Sequence, residues 1–150
     1  MKKLLLSAVI FVLGLQIQAA YLYIPMDETQ KNHLKSYGIA YWILTQDVEV
    51  DWLLNYNGGS FLVKHHQLIE NECIIRGVSY QVISDAQANS ILAKISSPSS
   101  NMDVMKLEKH PKIAVYSPKS KQPWDDAVTL VLTYAEIPYD VIFDDDVMYN

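Results

Sequence analysis

Three polar residues near the start of the chain are candidates for ligand contact. Asp27, Gln30 and His33 follow a short β-rich run, Tyr21 to Pro25, and open a predicted helix. Ligands of open α/β sheets gather at the carboxyl ends of strands, and helix N-termini attract anions. Asp27 and Gln30 also have the spacing of a helix capping box, which would leave His33 as a surface helix residue. These residues therefore predict either a ligand-binding helix start or a helix cap.

A second candidate is the glycine-containing loop from Asn55 to Ser60. Its backbone amides could cradle an anion, which makes Asn55, Gly58 and Gly59 candidate binding residues. The dipeptide Asn57-Gly58 is also a common hairpin signal. The loop thus predicts an anion site or a plain turn between two strands.

The clustered carboxylates are poorly arranged for catalysis or metal binding. Asp125 and Asp126 are adjacent on a predicted helix, where side chains diverge by about 100°, and they suit the helix dipole as first-turn residues. Asp140 and the run 144–146 lack the glycine and the spacing of a calcium loop. We therefore predict no metal site and no cofactor.

The histidines and the single cysteine also lack the arrangements that chemistry requires. His65, His66 and His110 have no partners at zinc-ligand spacing, and no Ser-His-Asp or Cys-His set is evident. Cys73 lies on the buried face of a predicted helix, which favours an inert core thiol over a reactive one. We therefore predict no catalytic residue in this chain.

The N-terminus has the three parts of a secretory signal peptide. A basic start, Met1-Lys2-Lys3, precedes an apolar run from Leu4 to Leu15, and Ile17-Gln18-Ala19 offers a cleavage site. A helix needs about 20 apolar residues to span a bilayer, and this run is shorter. We predict cleavage after Ala19 and a periplasmic or secreted protein that is not inserted in the membrane.

Composition limits the partners of the mature chain. The formal net charge is −5 and becomes more negative once Lys2 and Lys3 are removed, which argues against nucleic acid and anionic lipid as partners. Half of the residues (50%) are hydrophobic, enough for a packed core. The predicted partner is a small molecule or another envelope protein.

Helix and strand patterns alternate along the chain, which predicts an α/β fold. We predict a small, mostly parallel sheet with flanking helices in residues 20–95, a linker in 96–111, and a β-α-β unit in 112–150. The best-marked helix follows Ser84, which forms a capping-box pair with Gln87. Units below about 40 residues rarely fold alone. The last unit therefore either extends the first sheet or is the truncated start of a flavodoxin-like domain, and we favour truncation.

Three stretches together resemble a known family. They are Ile24 to Lys35 (IPMDETQKNHLK), Trp52 to Leu62 (WLLNYNGGSFL) and Gln122 to Thr129 (QPWDDAVT). They are similar to the N-terminal part of exported bacterial proteins labelled asparagine synthetase B. The resemblance implies a longer protein that continues into a domain like class I glutamine amidotransferases. It also implies an arginine before the paired glycines, where this chain has Asn57.

The activity implied by the family label needs features that this sequence lacks. A glutamine-hydrolysing asparagine synthetase uses an N-terminal cysteine, whereas the predicted mature chain starts at Ala20. Its ATP loop has the pattern Ser-Gly-Gly-x-Asp-Ser, and the segment from Asn57 to Ser60 does not supply it. The cysteine elbow of a class I amidotransferase would lie beyond Asn150.

These observations leave three hypotheses for function. The first is a non-catalytic exported domain that binds a small ligand or an envelope protein. The alternative is the front fragment of an amidotransferase-like enzyme whose catalytic half lies beyond residue 150. The third is a non-functional fragment, which would not unfold cooperatively.

Overall fold

The structure, a computed structural model of the chain, describes residues 19–116 and 127–143. These residues form strands and helices that alternate over most of the chain. In order, they are β1 (Ala19–Ile24), α1 (His33–Thr45), β2 (Val50–Leu54), β3 (Ser60–Lys64), α2 (Gln67–Ile75), β4 (Gln81–Ser84), α3 (Asp85–Ile95), β5 (Asp103–Leu107), β6 (Ala114–Tyr116), α4 (Ala127–Ala135) and β7 (Asp140–Ile142).

The main sheet is antiparallel, so the predicted mostly parallel sheet is wrong, although the α/β class is confirmed. Its five strands lie in the order β4-β1-β3-β2-β5, and every neighbouring pair is antiparallel. Helices α1 and α2 each join two strands that run in the same direction, with one other strand between them, whereas α3 joins the two edge strands β4 and β5. The first six elements thus have the connectivity of the ferredoxin-like split β-α-β motif. The sequence pattern predicts the crossover helices, but it does not show that another strand lies between the two strands that a helix connects.

Helices cover both faces of this sheet because strand side chains alternate between its faces. On one face α1 and α2 bury Leu22, Ile24 and Phe61, which are at most 2% exposed. On the other face α3 packs on Leu53 and Leu62, both fully buried. The core is therefore two apolar layers with the sheet between them.

The first helix begins later than the capping-box spacing at Asp27 predicts. Asn32 is the N-cap of α1 and its side chain accepts a hydrogen bond from the Lys35 amide at 3.1 Å. Asp27 instead accepts hydrogen bonds from the backbone and hydroxyl of Thr29, at 3.0 and 2.6 Å. An Asx-type turn therefore competes with the cap for the same carboxylate.

Two other helix termini follow their sequence signals. The capping box between Ser84 and Gln87 is present at the start of α3. Gly77 follows α2 with φ of +68°, a left-handed conformation that glycine adopts without strain. Local sequence controls these two ends because each signal lies within one turn of the helix.

The stretch 96–111, predicted as a linker, contains β5. This edge strand pairs with β2 from Val50–Leu107 to Leu54–Asp103. Most of its side chains are exposed or only half-buried, as is common for an edge strand. Its sequence, DVMKL, also lacks the strict alternation of apolar and polar residues that predicts a half-buried strand.

The last elements form the predicted parallel β-α-β unit, with β6 paired to β7. Helix α4 of this unit packs against α1, where a Cβ atom added to Gly38 would lie 1.8 Å from the carbonyl oxygen of Ala135. Glu136 forms ion pairs with Lys35 and Arg76 of the first unit. A close helix contact and a bridging carboxylate thus join the two units.

Several predictions concern residues that the structure does not describe. The signal peptide up to Gln18, the carboxylates Asp125 and Asp126, and the acidic run 144–146 lie outside the described residues. Within residues 19–116 and 127–143, no helix has the length and apolarity needed to cross a membrane.

Candidate functional site

The loop between β2 and β3 is a tight turn with four left-handed residues. Asn55, Asn57, Gly58 and Gly59 have φ values of 59°, 44°, 80° and 89°. The amide of Gly59 donates to the Tyr56 carbonyl at 3.0 Å, within the turn. The structure therefore uses this amide to close the loop rather than to face an anion.

Tyr23 of β1 holds this loop from inside the fold. Its ring is 4% exposed, and its hydroxyl lies 2.9 Å from the Ser60 hydroxyl. The side-chain amide of Asn57 donates to the Tyr23 hydroxyl at 2.9 Å. Ser60 donates to the Tyr56 carbonyl at 2.8 Å, so its oxygen accepts from Tyr23. This chain of hydrogen bonds fixes Asn57 relative to the sheet.

The two sequence-predicted stretches lie against each other at this loop. The Met26 amide donates to the Asn57 carbonyl at 3.1 Å. A Cβ atom added to Gly58 would lie 2.2 Å from the Met26 carbonyl oxygen and 3.0 Å from the Asp27 amide. Gly58 is therefore required for close backbone contact as well as for its positive φ.

The other residues that were predicted to contact a ligand form hydrogen bonds within the protein instead. Gln30 is 5% exposed, donates to the carbonyls of Pro25 and Ser79, and accepts from the Ser79 amide. His33 lies 3.1 Å from the Asp27 carbonyl, and Asn55 donates to the Asn101 carbonyl at 2.8 Å. Gln30 thus joins the β1–α1 loop to the segment before β4.

Next to the loop is a cavity of about 320 Å³, here named the Asn57 pocket. It lies between β1, the β2–β3 loop, β4 and α3. Its lining consists of the uncharged residues Tyr23, Tyr56, Asn57, Gln81, Ile83, Gln87, Ser90 and Ile91. This volume is at the lower end of the range of about 300–1,000 Å³ for small-molecule sites.

The pocket offers hydrogen-bonding groups but no strong acid or base. Burial raises the pKa of Tyr23 above its ordinary value of 10.0, with smaller increases from Tyr56 and Asp27. Hydrogen bonds with Ser60 and Asn57 oppose this increase without cancelling it. Tyr23 is therefore a neutral phenol near pH 7 and cannot act as a general base for Ser60.

Two further cavities have different chemistry. A cleft of about 230 Å³ has an apolar lining of Tyr37, Ala40, Tyr41, Leu44, Trp52, Phe61, Leu107 and Ile137. A cavity of about 290 Å³ lies on the sheet and includes Glu49, Asp51, Lys64 and Lys106 in its lining. In that cavity Lys106 pairs with Glu49 at 2.9 Å, and Lys64 lies 4.0 Å from the Tyr21 ring centroid.

The other candidate groups have structural roles. His65 pairs with Glu70 at 2.8 Å, and Tyr80 donates to the same carboxylate at 3.1 Å. Cys73 is fully buried, and burial raises the pKa of its thiol to about 12, as expected for an inert core cysteine. No group of three potential metal ligands occurs among the residues that the structure describes.

Sequence reasoning missed most of the pocket lining. Gln81 and Ser90 carry no local motif, and Gln87 is explained by its cap at α3. Tyr23 and Tyr56 belong to a tyrosine-rich composition that does not distinguish them. These residues meet only because β1 and β4 are neighbours in the sheet and α3 packs against both strands.

Comparison with known proteins leaves the family open. No protein-family model, curated protein or solved structure matches this chain. The resemblance to the asparagine synthetase B-labelled proteins therefore stays a prediction. The arguments for function depend on the pocket itself.

Proposed function

We propose that the protein is an exported, non-catalytic binding domain that holds a small uncharged ligand in the Asn57 pocket. The observation that carries this proposal is the lining, which combines amide and hydroxyl groups from separate elements with apolar walls. A few convergent polar groups in a partly apolar cavity are typical of small-molecule sites. Export is the expectation from the sequence of residues 1–19.

The hydrogen-bond network around the loop supports preorganised binding. Hydrogen bonds among Tyr23, Ser60 and Asn57 hold the Asn57 side chain in place, and the capping box with Ser84 holds the Gln87 side chain. Side chains that are already ordered lose little rotamer entropy when a ligand binds. The pocket therefore favours recognition without a conformational change.

The chemistry of the lining supports a non-catalytic role. Ser60 is the most buried hydroxyl beside the pocket, but it already donates to a backbone carbonyl at 2.8 Å. Its side-chain partner Tyr23 has a raised pKa, and no residue of the lining carries a carboxylate, an imidazole or a thiol. Nucleophilic catalysis would need an activating base within hydrogen-bond reach.

The proposal is tested by ligand-observed NMR with a panel of uncharged polar fragments, including acetamide, glycerol and D-glucose. We expect saturation transfer to at least one of them from the purified protein. The variant Ser90→Trp fills the pocket from the exposed side of α3 and should abolish the signal. Asn89→Trp places the same ring at the neighbouring exposed position, outside the lining, and is the matched control.

Two results would contradict the proposal. One is the absence of transfer to every fragment at concentrations up to about 50 mM, several times the Kd of a weak site on the order of 1–10 mM. The other is transfer that Ser90→Trp and Asn89→Trp leave equally strong, because that would place binding elsewhere on the surface.

A second candidate function is the front part of an amidotransferase-like enzyme. The observation in its favour is the two-stranded parallel sheet of β6 and β7. Parallel sheets usually occur as larger sheets with helices on both faces. The intact mass of the protein from its producing cells tests this candidate. A mass well above that of residues 20–150 would favour it, and a matching mass would count against it.

A further inference from the structure

We infer that the ligand of the Asn57 pocket is a neutral saccharide or a sugar-like polyol. This inference rests on the proposed function and names the chemistry of its ligand. It follows from the hydrogen-bonding groups that the fold leaves unused in the pocket, from the apolar part of the lining, and from the lack of charge there.

The unused groups include both acceptors and donors. Asn57 donates its amide NH₂ to Tyr23, and its carboxamide oxygen accepts no hydrogen bond from a described residue. Gln87 accepts through its oxygen from Ser84, and its NH₂ group donates to none of the described residues. The side chains of Gln81 and Ser90 form no hydrogen bond within the described chain. A ligand that uses these groups would therefore both donate and accept hydrogen bonds.

Hydroxyl groups meet this requirement better than ions do. Each hydroxyl carries one donor and two acceptor lone pairs, whereas a carboxylate only accepts and an ammonium group only donates. A carboxylate would be repelled by the Asn57 carboxamide oxygen, because both groups only accept hydrogen bonds. An ammonium group would be repelled by the Gln87 NH₂ group, because both only donate. Neighbouring hydroxyls on a ring can serve both amides at once.

Apolar side chains supply the surface for the C–H groups of the ring. Ile83 is 7% exposed and Ile91 is half-buried, and both line the pocket. The rings of Tyr23 and Tyr56 meet edge to face with centroids 6.3 Å apart. This surface adds contact area without adding charge.

The nearby cation, Lys94, permits a sharp test of neutrality. Its ammonium lies 5.5 Å from the Tyr56 ring centroid, although Lys94 is not part of the lining. Binding of an anion that used Lys94 would weaken in salt, because the Debye length falls to about 3 Å at 1 M. Binding of a neutral sugar through hydrogen bonds should change little.

Calorimetric titration of the purified protein with D-glucose and D-galactose tests the inference. We expect a Kd on the order of 1–10 mM for at least one of them, as suits a small ligand with few atoms. The Kd should change less than about twofold between 0.05 and 1 M sodium chloride. Gln81→Ala, at an exposed position, should weaken binding about fivefold through a lost hydrogen bond. The control Gln67→Ala, outside the pocket, should leave binding unchanged.

The outcomes separate this inference from the proposed function. Binding of acetamide but of neither sugar, abolished by Ser90→Trp, would overturn the saccharide assignment and leave the binding function intact. Tighter binding of D-glucuronate, lost at high salt, would overturn the neutral-ligand assignment. Sugar binding that Gln81→Ala and Ser90→Trp both leave unchanged would overturn the site.

Discussion

At the residue scale, the Tyr23 hydroxyl holds the β2–β3 loop in place by hydrogen bonds with Ser60 and Asn57. Tyr23→Phe removes the hydroxyl that joins Ser60 to Asn57, leaving the Asn57 amide without its partner. Loss of a buried hydrogen-bonding group costs about 1–3 kcal/mol. We expect a fall of about 1–2 kcal/mol in the free energy of unfolding by urea denaturation, and weaker ligand binding.

The control for this variant is Tyr37→Phe. Tyr37 is 42% exposed, and its hydroxyl forms no hydrogen bond within the described chain. Its removal should change the free energy of unfolding by less than about 0.5 kcal/mol. Equal effects of the two variants would show that the Tyr23 hydroxyl does not support the loop.

Glu70 makes stability depend on pH in the acid range. A hydrogen bond from His65, and then one from Tyr80, lowers the pKa of this carboxyl below its ordinary value of 4.5. A folded-state pKa below the unfolded value means that the stabilisation is fully present above about pH 4.5. It is lost as the pH falls through the lower folded-state pKa.

Glu70→Gln should therefore flatten part of the fall in stability below pH 4.5. The measurement is the urea midpoint between about pH 3 and pH 7, compared with wild type, since other carboxylates titrate in both proteins. Glu28→Gln, at an exposed residue with no ion pair in the described structure, is the control. An unchanged pH profile in Glu70→Gln would refute the role of this network.

At the scale of elements, Gly38 allows α1 and α4 to pack closely against each other. Alanine in a helix interior normally stabilises by up to about 1 kcal/mol relative to glycine. At this position its Cβ atom would meet the Ala135 carbonyl at 1.8 Å, so the helices must separate. We expect Gly38→Ala to destabilise by about 1–3 kcal/mol, opposite to the propensity effect.

Proteolysis gives a second readout of this contact. Separation of α4 from α1 should speed cleavage within the last unit before the first unit is attacked. Thr45→Ala, at an exposed position near the end of α1, should leave the cleavage rate unchanged. A stabilised Gly38→Ala protein would show that the two helices do not pack closely.

Among the elements, the sequence predicts those helix ends that depend on residues close by in the chain. The capping box at Ser84 and the glycine that follows α2, Gly77, are local signals, and the structure has them. Strand direction and order depend on distant pairing, so the antiparallel sheet was not predictable from alternation alone. The edge strand β5 was not predictable for the same reason, since only its pairing with β2 identifies it.

The same distinction holds for the candidate site. Asn57, Gly58 and Asp27 lie together because the loop packs on the segment after β1, but the predicted anion contacts are internal bonds instead. The other unused groups belong to β4 and α3, and no local sequence pattern predicts that these two elements lie beside Asn57. A site assembled from distant elements needs the topology before it can be recognised.

At the scale of the whole molecule, the two units should unfold together. Helix α4 packs on α1, and Glu136 pairs with both Lys35 and Arg76. Contacts of this kind couple the β-α-β unit to the first sheet. We expect a single thermal transition in which near- and far-ultraviolet circular dichroism coincide. Separate transitions would support the idea of an unsupported fragment.

The measurement that tests the central claim most directly is an amide NMR titration of the isotopically labelled protein with D-glucose and, separately, with D-galactose. We predict that the shifted resonances cluster at Tyr56 to Ser60, Gln81 and Ser90, around the Asn57 pocket. The Ser90→Trp protein should show no shifts at the same concentrations. Shifts that centre on Tyr37 and Leu107 in the apolar cleft, or no shifts in the wild-type protein with either sugar, would contradict the account.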